Sequence, residues 1–257
     1  MRVISIINLK GGVAKTISTI NMGHVLAEVF GKKVLIIDND KQGNASKMLG
    51  RWSYDYTGTA ELMTDRHVDM HSLIQHTAYK NLDIVTTNMN LLTANLKVML
   101  DQTRPQQTRF KKAFRDIDNE YDFVLIDNAP DINISTINGL VAADDVLIPI
   151  TIDEFAIDGL KELSEQIENT KEDLNEKLAL RGCFITQYDK MNEADVQGEE
   201  YIRRLEYPVF RTKIHKTPKM KQSTFAKMPI SEYSKRCKAS KDYLELTREY
   251  LNLIGEM

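Results

Sequence analysis

The sequence predicts an α/β fold, a doubly wound and mainly parallel sheet with helices on both faces. Two observations carry this. Short runs rich in Val and Ile stand at Val3–Leu9, Val34–Asp38, Leu82–Thr86, Phe123–Asp127, Val146–Ile150, Cys183–Thr186 and Val209–Ile214. They alternate with segments of helical period, the mark of βαβ units. Most are continuously apolar rather than alternating, which suits strands covered on both faces. The chain has 257 residues and 42% apolar content, enough to bury a large core. No repeat, low-complexity tract or Pro/Gly/Ser linker divides it, so residues 1–257 are expected to form one domain.

The elements follow in order. The first apolar run leads through a glycine-rich loop into a helix with Ile20, Val25, Leu26 and Val29 among its apolar positions. Phe110, Ala113, Phe114, Ile117 and Tyr121 mark a second helical stripe, and Ala156, Leu160, Leu163, Ile167 and Leu174 a third. Ala239, Tyr243, Leu246, Tyr250 and Leu253 mark the last helix. In open sheets of this kind ligands bind beyond the C-terminal ends of the strands. The loops after Leu9, Asp38 and Asp127 are therefore where chemistry is expected.

Composition narrows the classes. The charged fraction is 28% and the net charge −3, so neither a disordered chain nor a globally basic coat protein fits. Cys183 and Cys237 are far apart and form no metal-ligand cluster with histidine, which argues against zinc, an iron–sulfur centre or a disulfide framework. Uncharged runs reach only about a dozen residues where a spanning helix needs about 20. A cytoplasmic protein is expected.

The segment Lys10-Gly11-Gly12-Val13-Ala14-Lys15-Thr16, with Ile17 beginning the helix, sits in strand–loop–helix context. Glycines let backbone N–H groups turn inward as an anion nest, and the helix N-terminus adds its positive dipole end. Lys15 would reach the β- and γ-phosphates, and the Thr16 hydroxyl would ligate Mg²⁺. Leu9 and Ala14 stand where the ordinary P-loop pattern places glycines, and an extra lysine stands at position 10. This deviant Walker A pattern resembles that of the ParA/MinD group of P-loop ATPases, and within it the small Soj-like ParA partition proteins. The resemblance implies a P-loop NTPase fold, ATP and Mg²⁺ as ligands, and an ATP-dependent homodimer in which Lys10 reaches the partner's phosphates. A helical backbone at position 14 would accommodate the alanine.

Two further segments extend the resemblance. Asp38-Asn39-Asp40-Lys41-Gln42-Gly43-Asn44 is similar to the family's D-x-D-P-Q-G-N, with Lys41 in place of proline. It implies that Asp38 helps hold Mg²⁺ and that Asp40 orients or deprotonates the attacking water. The run ending Asp127-Asn128-Ala129-Pro130 is a Walker B pattern whose Asp127 can bind Mg²⁺ through water. Asn128 and Ala129 depart from the family's D-x-P-P. In the second half, resemblance assigns Asp189, Ile214 and His215 to the adenine, although His215 read alone is a surface histidine.

The charge is lopsided. Arg203 to Lys241 holds 12 lysines and arginines against 2 acids, a net of +10, whereas Asp153 to Glu200 nets −9. A solvated face is the bland reading of such a run. The family resemblance instead implies non-specific DNA binding by the ATP dimer, with Arg203, Arg204, Arg211, Lys213, Lys216, Lys219 and Lys221 as the contacts. It also implies a ParB-like centromere-binding protein as the trigger of hydrolysis, and location on the nucleoid without membrane attachment. A MinD-like membrane-directed ATPase is the alternative, but it needs a basic amphipathic C-terminal helix, and Tyr243 to Met257 offers only Arg248 as a cation. A bacterial tyrosine kinase is a third reading. It is disfavoured because Tyr233, Tyr243 and Tyr250 fall in or near core-facing helical patterns.

Overall fold

The computed structural model describes residues 1–153 and 156–257, and the side chains of all of these except 156–158. The chain runs β1 (Arg2–Ile6), α1 (Lys15–Glu28), β2 (Val34–Asn39), α2 (Asn44–Met48), α3 (Thr59–Thr64), α4 (Met70–Leu73), β3 (Ile74–His76), β4 (Leu82–Val85), α5 (Asn90–Leu100) and α6 (Arg109–Ala113). It continues with β5 (Phe123–Asn128), α7 (Ile134–Ala142), β6 (Asp145–Ile150), α8 (Ala156–Asp173), β7 (Ala179–Ile185), α9 (Glu193–Arg204), α10 (Pro218–Phe225), α11 (Ile230–Tyr233) and α12 (Lys238–Leu253). The sheet order is β3-β4-β2-β5-β1-β6-β7. Every pairing is parallel except β3 with β4. This is the doubly wound, mainly parallel arrangement the strand patterns predict.

Alternate residues of each strand feed two cores, as a period of two requires. Leu35, Ile37, Val124 and Ile126 face one layer with α5, α7 and α8. Val34, Ile36, Ile4 and Ile6 face the other, where α1 and α12 pack. Helix α12 buries Tyr243, Leu246 and Tyr250 completely. The opposite side of the molecule is less covered: Leu92, Leu96, Met99 and Leu100 of α5 stay exposed. Among the described residues no helix is long and apolar enough to cross a membrane.

Two expectations are corrected, and one strand is added. Val209–Ile214 is not a strand. It touches β7 through an isolated bridge, Cys183 with Val209, and through the Phe210 and Ile214 N–H groups, which donate to the Cys183 and Ile185 carbonyls at 2.8 Å. The reason is in its hydrogen bonds: the Arg211 and Thr212 N–H groups donate to the Glu249 carboxylate at 2.7 and 2.9 Å instead of to β7. The stripe from Phe110 to Tyr121 is not one helix but α6 followed by a 3₁₀ turn at Phe114–Ile117. Tyr121 lies past its end, where its hydroxyl donates to Asp83 at 2.8 Å. Strand β3 has three residues and no apolar run of its own, so pattern reading passes over it.

Strands β1, β2 and β5 end together. Asp38 is in register with Asp127, and Asp127 with Ile6, the last residue of β1, three positions before Leu9 opens the glycine-rich loop. The three loops singled out by topology therefore open onto one place.

Candidate nucleotide site

The loop from Leu9 to Ala14 is braced on both sides. Asn8 donates from Nδ2 to the Pro149 carbonyl and accepts from the Lys10 N–H, at 2.8 and 2.9 Å. On the far side the Thr186 hydroxyl donates to the Val13 carbonyl at 3.1 Å, and Gln187 Nε2 to the Gly12 carbonyl at 2.7 Å. Gly12 has a φ of +78°, open to glycine at no steric cost. Ala14 also lies in the left-handed region, at φ 68°, ψ 29°, as the residue that caps α1. The expected helical backbone at 14 is thus mirrored, and the alanine carries a strain of about 1–2 kcal/mol. The sequence misled here because the side chain alone does not reveal the sign of φ.

Lys15 is almost fully buried, and its Nζ donates to the Lys10 carbonyl at 2.9 Å, spanning the loop. Burial lowers its pKa, opposed by the charges of Asp127, Asp40 and Asp131. Lys10 points elsewhere: its ammonium pairs with Asp153, which also accepts from the Thr151 hydroxyl at 2.9 Å. Val13 turns its side chain into the core. Of the loop, Gly11, Gly12, Ala14, Lys15, Thr16 and Ile17 line a cavity of about 880 Å³.

Asp38 and Asp127 are both fully buried. The Ser46 N–H and hydroxyl donate to Asp38 Oδ2 at 2.8 and 2.6 Å. Burial nevertheless pushes its carboxyl up to about 7. Asp127 is raised too, first by burial and then by the facing charge of Asp38, with the Thr16 hydroxyl acting the other way. The Thr19 hydroxyl donates to Asp127 Oδ1 at 3.4 Å, while Oδ2 has no partner. An orphaned buried carboxylate oxygen beside a hydroxyl and a second carboxylate is a donor set short of a cation. Mg²⁺ is bound through one or two carboxylates plus substrate phosphates, so Thr16, Asp38 and Asp127 fit it. Asp40 stands one step outward on the cavity wall, its carboxylate accepting from the Gln42 N–H at 3.0 Å.

The remaining wall comes from the second half of the chain. Asp189, Ile214 and His215 line the same cavity as the phosphate loop. His215 is not a surface residue: it is half-buried, with Nδ1 2.9 Å from Asp242 Oδ2 and its ring edge-on to Tyr188. Thr217, Pro218, Met220 and Thr224 at the start and along α10, and Tyr243 of α12, complete the wall. Sequence reasoning missed these. Tyr243 is also bonded to Ser18 at 3.1 Å and reads as a core position.

The basic quarter is partly neutralised. Arg203 and Lys213 both pair with Glu199, at 2.9 and 2.6 Å, and Arg204 lies 3.7 Å from Glu200. Lys213 also covers the Tyr188 ring, and Lys219 the Tyr233 ring. Lys216 and Lys221 line the cavity. Arg211 remains exposed beside a separate groove with Arg181 and Arg248.

Comparison with known proteins agrees with this fold. The AAA domain family matches residues 1–180. The sporulation initiation inhibitor protein Soj of Bacillus subtilis is 30% identical over 249 residues, covering 96% of this chain and 97% of the relative. The chromosome-partitioning ATPase Soj of Treponema pallidum is 33% identical over 254 residues, 97% of each. Among solved structures, cobyrinic acid a,c-diamide synthase from Mycobacterium smegmatis with bound ADP and magnesium superposes with a TM-score of 0.85 at 26% identity, covering 99% of this chain and 96% of that one. The cell division ATPase MinD of Pyrococcus furiosus, at 19% identity and a TM-score of 0.80 over 98% of this chain and 99% of its own, shares the fold.

Proposed function

The chain belongs to the ParA/Soj family of P-loop ATPases, and on that premise we propose that it is a partition ATPase that binds and hydrolyses ATP with Mg²⁺. One observation carries the reading: a phosphate loop, two buried facing carboxylates and an 880 Å³ cavity meet at the ends of β1, β2 and β5. The N–H groups of the loop and Lys15 would hold the β- and γ-phosphates. Thr16, Asp38 and Asp127 would hold the cation, which supplies charge neutralisation on the phosphates. Asp40 would orient the attacking water, and the Asp189 and Ile214–Thr217 wall would take the adenine.

In the ATP state two copies would associate, with Lys10 leaving Asp153 for the partner's phosphates. The dimer would bind DNA non-specifically through the basic quarter, since phosphate contacts carry no base information. A ParB-like partner would trigger hydrolysis and release. The MinD-like alternative finds less support, because α12 spends its apolar face on the core.

Phosphate release from ATP tests the enzymatic part. Lys15→Ala is expected to lose nucleotide binding and turnover together. Asp40→Ala is expected to bind ATP but lose turnover by about 100-fold, within the range for a positioned base. Normal turnover by Asp40→Ala would remove it from the mechanism.

A further inference from the structure

We propose that Asn39 and Asn128 form an amide clamp that holds Asp38 and Asp127 at their working separation and ties them to α7. The proposal rests on the cation assignment made above. Asn39 and Asn128 follow the two carboxylates directly and are themselves in register across β2 and β5. Successive side chains point to opposite faces of a sheet. The carboxylates therefore face α1 and the phosphate loop, while the amides face α7.

The clamp reaches four elements. Asn39 Nδ2 donates to Asn128 Oδ1 at 2.9 Å and to the Ser135 carbonyl in α7 at 3.0 Å. Asn128 Nδ2 donates to the Ser5 hydroxyl and the Ile6 carbonyl of β1, at 2.9 and 3.1 Å. Both residues are at most 1% exposed. From α7, Gly139 closes on the pair: a Cβ there would stand 2.8 Å from Asn128 Oδ1. Outside the clamp, Lys41 Nζ lies 3.6 Å from Asp131 Oδ2, joining the same two loops again.

Packing alone does not account for this arrangement. Two buried amides are costly to desolvate, and Asn39 Oδ1 is buried with no partner; an apolar pair of similar volume would leave no orphan. What the amides add is direction. Two carboxylates side by side at the ends of β2 and β5 repel once both are ionised, as cation binding requires, and a short cross-strand bond on the reverse face opposes that separation. Because the bond continues to Ser135, a shift of α7 is felt at the carboxylates.

The test uses the full chain and a fluorescent ADP, titrated in EDTA and against rising Mg²⁺, with urea unfolding of the apo protein alongside. Asn39→Ala and Asn128→Ala are expected to raise the Mg²⁺ needed for its half-maximal effect at least fivefold. Their metal-free ADP affinity should stay within twofold of wild type. Gly139→Ala, which improves helix propensity and leaves both amides in place, is expected to reproduce the Mg²⁺ defect and to add nothing in an Asn128→Ala background. Metal-free affinity falling in step with the Mg²⁺ response would reduce the pair to a packing role and overturn the clamp. So would variants that respond to Mg²⁺ as the wild type does. A wild-type chain whose ADP affinity ignores Mg²⁺ would overturn the cation assignment first, and the clamp with it.

Discussion

Asp38 and Asp145 are both fully buried carboxylates, yet their surroundings give them opposite pH behaviour. Asp145 is driven up by burial, but donation from Arg2, Tyr250 and Arg181 outweighs this and holds it below the ordinary carboxylate range. A depressed folded pKa contributes stability that is present above the unfolded pKa and lost as pH falls. Asp38 has the reverse sign. With its carboxyl pushed up to about 7, the folded state keeps a proton between about pH 4 and 7 that the unfolded chain has released. Stability of the apo protein therefore falls as pH rises through that window. Asp38→Asn is expected to flatten that decline and to raise apo stability at pH 7.5 by about 2 kcal/mol, the scale of such a linkage. Urea denaturation at pH 5 and 7.5 checks it, and an unchanged slope would refute the buried-charge account. Ala14 is a second residue-scale case. Relief of its left-handed strain by Ala14→Gly should stabilise the fold by about 0.5–1 kcal/mol after the added unfolded-state entropy is counted. Thermal unfolding reads this directly.

At the scale of elements, helix α12 joins core and site. Its Tyr243 reaches the cavity wall, and its Tyr250 hydroxyl donates to Asp145 at 2.6 Å. Leu246→Ala is expected to cost about 2–5 kcal/mol, as buried leucine truncations do. A loss below 1 kcal/mol would mean that α12 is not integral to the core. The six strands with real apolar runs were legible because each carries apolar side chains toward both cores. The phosphate loop and the positions of Asp38 and Asp127 were legible because strand–loop–helix spacing leaves few alternatives. Val209–Ile214 was misread because its apolar ends do lie against β7, where the Phe210 and Ile214 N–H groups donate to the Cys183 and Ile185 carbonyls, while Glu249, distant in sequence, takes the Arg211 and Thr212 N–H groups between them. The wall formed by α10 and Tyr243 was not readable, since no local spacing announces which helix will close a cavity. The handedness at Ala14 and the pairing of Asn39 with Asn128 were hidden for the same reason: both are set by tertiary contact.

At the scale of the whole molecule, the linear charge counts of −9 and +10 describe segments that meet at the end of α9. Helix α9 supplies Glu199 and Glu200 to Arg203, Arg204 and Lys213, so the basic quarter is weaker as a surface than as a sequence. An exposed pair such as Arg204–Glu200 is worth about 0–1 kcal/mol, little enough for a polyanion to displace it, whereas Arg203 and Lys213 are held by a Glu199 side chain that is largely buried. Lys10 is the other residue whose partner should change with state. In the single chain it rests on Asp153, and Lys10→Ala is expected to retain ATP binding while losing ATP-dependent association by sedimentation. The measurement that bears most directly on the account is binding of the chain to long DNA of arbitrary sequence with ATP, ADP or no nucleotide, at two salt concentrations. A dimer that loads onto DNA in its ATP state should give binding that requires ATP and weakens steeply with salt, as displaced counterions demand. Equal binding in all three nucleotide states, or none with ATP when ATP-dependent association has been demonstrated, would contradict it.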